Sequence, residues 1–96
     1  MGIKDKKEIK DLLNLLDKII EYNFNKNNIE RYELTKEIKI NIKKNKSLTK
    51  LSTQSYFISL LDIIFEYYTE NRDSFSENLY NNLLSCIENS VSSNEI

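Results

Sequence analysis

Apolar residues recur with a helical period along nearly all of this 96-residue chain. From Lys6 to Tyr22, the residues Ile9, Leu12, Leu13, Leu16, Ile19 and Ile20 keep the i, i+3, i+4, i+7 spacing of one helix face. Asp5 with Glu8 three residues later reads as a capping box, with Asp in place of Ser or Thr. A first helix is therefore expected over 6–22. From Thr53 to Asn71, Phe57, Leu60, Leu61, Ile64 and Tyr68 form a second such stripe, which Ile58, Ile63 and Phe65 widen. This helix is expected to be the most enclosed. A last helix is expected over 77–91, with Tyr80, Leu83, Leu84, Ile87 and Val91 facing inward. Ser76 is placed as its cap, and Phe75 just outside is paired with Tyr80 as a hydrophobic staple.

The stretch KEIKINIKK (36–44) has two readings. Ile38, Ile40 and Ile42 alternate with polar residues, the period of a half-buried strand. Yet no other segment reads as a strand to pair with it, and a lone strand is not stable. As a helix over 29–44, the segment gives Leu34, Ile38 and Ile42 to its neighbours at a spacing of four. Ile40 then falls about 200° from Ile38, among Lys36, Lys43 and Lys44. The helix is the reading adopted, with Ile40 exposed inside a basic collar. Isolated exposed isoleucines are common on protein surfaces, and collared by lysines this one is also a candidate contact site.

Proline is absent and the only glycine is Gly2, so the usual residues of β-hairpin turns are missing. Asn, Asp and Ser make the turns instead, in NFNKNN (23–28), NKSLTK (45–50) and NRDSFS (71–76). Four helices joined by such loops predict an all-α domain over 1–96, an antiparallel up-down four-helix bundle with a short tail, 92–96.

Charge divides the chain further. The net charge is −1, but residues 31–50 carry seven Lys or Arg against two acids. Residues 51–96 carry one Arg against seven acids. Asp62, Glu66 and Glu70 run down one side of the third helix, and Lys39, Lys43 and Lys46 along the second. Pairing between these rows would neutralise the asymmetry inside the molecule, each exposed pair contributing ~0–1 kcal/mol. The alternative is an external partner for the basic segment.

The chemistry open to the chain is narrow. It contains no histidine, which removes phosphohistidine relays, H-E-x-x-H zinc sites and histidine-based triads. The row of three acids lacks the Glu-x-x-His partners of di-metal bundles. There is no glycine-rich phosphate loop. The single cysteine, Cys86, has no basic neighbour and reads as a small apolar residue. No catalytic, metal or cofactor residue is expected. No segment has the length and apolarity to span a bilayer, the start lacks the pattern of a secretory signal, and a cytoplasmic address is expected.

Three non-enzymatic classes follow. The lysines of the second helix form a basic patch without an arginine fork, which disfavours specific nucleic-acid recognition. RDSF (72–75) resembles the serine motif of acyl carrier proteins. Those proteins need further helices after that serine where only one is expected here, and the basic second helix does not suit that class. A partner-binding helical protein, for example an antitoxin, accounts for the same composition.

One resemblance is more specific. FEYYTENRDSFSENLYNNLLSCIEN (65–89) has an aromatic-rich helix end, a short polar turn, Phe-Ser-Glu at the start of the last helix, then Leu and Ile at helical spacing. With the chain length, the four-helix layout and the lysine-rich second helix, it resembles the immunity proteins of pediocin-like (class II) bacteriocins, enterocin A immunity type. The resemblance implies a non-enzymatic protein at the inner membrane face. There it would bind the mannose phosphotransferase permease once a bacteriocin has engaged it, and so block the pore. It also implies that the second half selects the peptide resisted. The matching positions are Arg72, Asp73, Ser74, Phe75 and Ser76, the last helix, and the tail Ser92, Ser93, Asn94, Glu95 and Ile96. That tail is shorter than in many members and lacks their aromatic residues. Lys36, Ile40, Lys43 and Lys44 complete the candidate surface, with weak contact to anionic lipid as their expected contribution.

Overall fold

The computed structural model describes residues 3–45, 51 and 53–95, with side chains for 6–44, 51 and 53–85. Among them are four helices and no strand: α1 (Ile3–Asn25), α2 (Ile29–Asn45), α3 (Phe57–Asn71) and α4 (Ser74–Glu95). Residues 36–44 are helical, so the period-two isoleucines do not make a strand. Helix α1 packs along α2 and α3 along α4, giving two antiparallel hairpins that meet mainly through α3. The bundle measures 45 × 25 × 24 Å.

One apolar cluster joins all four helices. Leu12, Leu15, Leu16 and Ile19 come from α1 and Ile38 and Ile42 from α2. Phe57, Leu60, Ile63 and Ile64 come from α3, and Leu79 and Leu83 from α4. Leu51, between α2 and α3, is fully buried in the same cluster. Leu15, Leu51 and Leu79 lie outside the stripes drawn from spacing. On the helical wheel Leu15 and Leu79 widen their stripes by a neighbouring position, as helices packed on two partners require.

Helix α1 begins at Ile3 rather than Lys6, so Asp5 lies within it and the expected capping box is not its start. No proline or glycine lies between Ile3 and Glu8 to stop the helix earlier. Its end is a Schellman motif. Asn28 N–H donates to Asn23 O at 2.9 Å, Asn27 N–H to Phe24 O at 3.1 Å, and Asn27 adopts a left-handed φ of 62°. Asn28 then caps α2, its Oδ1 accepting from Arg31 N–H at 3.2 Å.

The α3–α4 turn departs most from expectation. Asp73, not Ser76, caps α4: its Oδ2 accepts from Ser76 N–H at 3.1 Å and from the Ser76 hydroxyl. A carboxylate at this position satisfies an orphan N–H and meets the positive helix end, so it outcompetes a serine three residues on. Ser76 is thereby buried inside the helix. The helix starts three residues earlier than expected, which moves Phe75 onto its first turn and removes the staple. Tyr80 packs instead on Phe65 and Tyr68, at centroid distances of 5.6 and 5.3 Å. Helix α4 continues through Glu95, so residues 92–95 extend it rather than forming a separate tail. Ile96 lies outside the described residues, as do the side chains of Cys86, Ile87 and Val91.

Helix α3 starts at Phe57 after turns over 53–56, four residues later than expected, and it is not enclosed all round. Ile58 is 69% exposed and Phe65 is also exposed, because only one flank of α3 meets its neighbours.

Candidate functional site

Charge pairing uses other partners than the two expected rows. Arg31 Nη2 lies 2.9 Å from Asp62 Oδ2 and 3.8 Å from Glu66 Oε2, joining α2 to α3. Glu70 accepts from Lys26 Nζ at 3.0 Å and from the Tyr22 hydroxyl at 2.7 Å. Lys39 pairs with Asp17 on α1. The α3 acids are thus matched by Arg31 and Lys26, which reach across from the first turn of α2 and the turn before it. Lys39 and Lys43 lie further along α2, beyond that reach, and Lys46 is outside the described residues. Among the described residues, Lys36, Lys43 and Lys44 form no ion pair.

Two of them, Lys36 and Lys43, border a groove. Between α1 and α2, Ile20, Tyr32, Lys36, Lys39, Ile40 and Lys43 line an open cavity of about 270 Å³ with no carboxylate among them. Lys36 Nζ sits 4.8 Å from the Tyr32 ring centroid, a cation–π contact that holds the ammonium over the groove. Phe24 stands exposed beside the groove, its ring 5.4 Å from Tyr32. Ile40 is 56% exposed, as the helical phasing required. Tyr32, Ile20 and Phe24 were not among the candidates. Tyr32 was legible at four residues before Lys36 and eight before Ile40, whereas the α1 residues required the helix pairing.

The second surface is the α3–α4 turn. Tyr68, Thr69, Arg72, Ser74 and Glu77 line a cleft of about 300 Å³. Arg72 is exposed and left-handed, with φ 52° and ψ 43°. Asp73 is half-buried as the cap, and Ser74 is exposed. Phe75 is 39% exposed, with Lys18 Nζ 5.6 Å from its ring centroid. Desolvation first, then the Tyr80 and Glu77 charges, hold the Tyr68 phenol above its ordinary pKa. Ser92, Ser93, Asn94 and Glu95 are placed only as helical backbone. The structure therefore brings Arg72–Phe75 together and Lys36, Ile40 and Lys43 together, as two surfaces lined by different residues.

Among the described residues no group of three or more His, Cys, Asp or Glu side chains is arranged to hold a metal ion, and no helix is long and apolar enough to cross a membrane. No family model, curated protein or solved structure matches the chain.

Proposed function

We propose that this protein is a non-catalytic immunity protein of the pediocin-like bacteriocin type, acting at the inner face of the receptor permease. The observation that carries the reading is the α3–α4 turn. The segment that resembles the immunity family, 65–89, covers this turn and the start of α4. There Arg72 and Ser74 line a cleft and Phe75, beside Lys18, is exposed one residue on, on a turn fixed by the Asp73 cap. A bound conformation fixed in advance loses less entropy on association, so a small exposed turn can discriminate between partners. The basic groove on the other hairpin leaves room for a second contact.

The test is protection in cells. Expressed in a bacterium sensitive to pediocin-like peptides, the protein should confer resistance to one or a few of them without degrading the free peptide. Resistance should require the receptor permease. Exchanging residues 72–96 for the matching half of another immunity protein should change which peptide is resisted. Cells that contain folded protein and resist no peptide of this class would rule the proposal out.

A further inference from the structure

The outer face of α2 exposes more than Ile40. Viewed down the helix, Ile29, Lys36, Lys43 and Lys44 all lie within about 60° of Ile40. Ile29, Lys36 and Lys43 fall on its α1 side and Lys44 on the other. Both Ile29 and Ile40 are more than half exposed, and so is Phe24 at the adjoining end of α1. From Ile29 to Lys43 this stripe runs about 21 Å along the helix. It holds crests of apolar side chains between lysines, with the carboxylate-free groove along its α1 side. Glu33 and Glu37 lie in the same sector, about 20° and 60° from Ile40 on the Lys44 side, so Lys36 and Lys43 lie toward α1 and the two acids border Ile40 on its other side.

We infer that this face docks on an anionic lipid surface, with the headgroup phosphate between Lys36 and Lys43. Phe24, Ile29 and Ile40 enter the headgroup region, and the groove floor of Ile20 and Tyr32 takes the glycerol and upper acyl carbons. Two observations favour a membrane over an acidic protein helix. The exposed apolar residues stand on the crests of both helices rather than only inside the groove, as an interfacial element requires. The ammonium groups of Lys36 and Lys43 flank those crests, where long lysine stems let charge reach phosphate while their methylenes stay against apolar surface. The inference deepens the lipid contact expected of Lys36, Ile40, Lys43 and Lys44, but it concerns the other hairpin and its test needs neither peptide nor permease, so it and the immunity reading fail separately.

An exposed isoleucine on another helix supplies the control. Ile58 on α3 is more exposed than Ile40, but it lies in the acidic half of the chain, beside Asp62 one turn on. Sedimentation with vesicles of equal phosphatidylglycerol and phosphatidylcholine, at low salt, reads the outcome. The protein should sediment with them, should not sediment with phosphatidylcholine alone, and should be released by salt. Lys36→Glu with Lys43→Glu should lower partitioning by at least ~20-fold, at ~5-fold for each lysine lost. Both lysines are on the surface, so the fold should survive, and circular dichroism checks that it does. Ile40→Glu should also release the protein, Ile58→Glu should bind as the parent does, and Glu33→Gln should bind more tightly. Failure to bind the anionic vesicles would overturn the inference, as would equal losses for Ile40→Glu and Ile58→Glu, or full binding by the double lysine variant. A protein that ignores these vesicles but shifts its α2 amide resonances with an acidic amphipathic Glu/Leu peptide would also overturn it, in favour of a protein partner.

Discussion

Between α1 and α2 the left-handed position is filled by Asn27 and the cap that follows by Asn28. Between α3 and α4 the same two positions hold Arg72 and Asp73. Asparagine visits the left-handed region more readily than most residues, because its short amide can bond locally. Arginine lacks that compensation, and a non-glycine residue there costs about 1–2 kcal/mol. The first turn therefore uses residues suited to its backbone. The second keeps one that is not, and that residue lines the cleft with Tyr68, Thr69, Ser74 and Glu77. A non-glycine residue in the left-handed region at an exposed turn is the kind of strain that points to a role for that turn.

The comparison breaks most visibly if the exposed residues of the second turn prove to be structural. Phe57, buried at the start of α3, sets the scale: Phe57→Ala should cost about 3–5 kcal/mol in denaturant unfolding. Phe75→Ala should cost less than about 1 kcal/mol, because its ring meets solvent and a lysine rather than Tyr80. Comparable losses would mean that Phe75 belongs to the core and that the turn is scaffold.

Caps come next. Asp73→Ala removes the acceptor for Ser76 N–H and strands the buried Ser76 hydroxyl, so about 1–2 kcal/mol should be lost. Asn28→Ala removes one cap bond and should cost about 1 kcal/mol. Equal losses would place no special weight on the second turn. Glycine at the left-handed positions sharpens the contrast further. Arg72→Gly should stabilise the fold by about 0.5–1 kcal/mol while weakening the protection described above, and Asn27→Gly should change stability by only a few tenths. A stabilised Arg72→Gly protein with undiminished protection would separate the strain from function.

The two turns also show what the sequence made legible. Helix number follows from local periodicity, but the local period of 36–44 is that of a strand, and its helical state followed only from the absence of another strand to pair with. Once it is helical, the inward Ile38 and Ile42 and the outward Ile40 follow from phasing. Helix ends were less legible, because Asp73, Ser74 and Ser76 can each cap, and the Asp73 carboxylate together with the burial of Ser76 decides among them. Charge partners were least legible. A row of acids on α3 announces that cations belong nearby, but whether Arg31 and Lys26 or Lys39 and Lys43 supply them depends on how far α3 sits along α2. The groove was hidden for the same reason: part of its lining comes from a helix whose contact with α2 has no local signature.

The smallest effect tests how the two turns are held together. Lys26 in the first turn and Tyr22 one helical turn before it both reach Glu70, two residues before Arg72. Tyr22 also meets Tyr67 edge to face at 5.2 Å. The Tyr22 hydroxyl first, then Lys26, hold the Glu70 carboxyl below its ordinary pKa. Its stabilising contribution is therefore present above the ordinary carboxylate value and is lost as pH falls through the depressed one. Lys26 is pushed up, chiefly by its hydrogen bond to Glu70, and Tyr22 is pushed up by desolvation first and by Glu70 next. Both of those contributions are complete below the ordinary lysine and tyrosine values and are lost as pH rises through the raised ones. The latch should thus be whole across neutral pH and weaken at either extreme. All three groups meet solvent, so each slope should be shallow. Melting temperature against pH, compared between the parent and Glu70→Gln, isolates it. The variant should lose the decline specific to acid pH and part of the decline at alkaline pH, with little difference in amide exchange at the hairpin cores. If the two acid limbs superimpose, Glu70 does not tie the turns, and the α1–α2 and α3–α4 hairpins are joined by their apolar faces and the Arg31 pairs with Asp62 and Glu66.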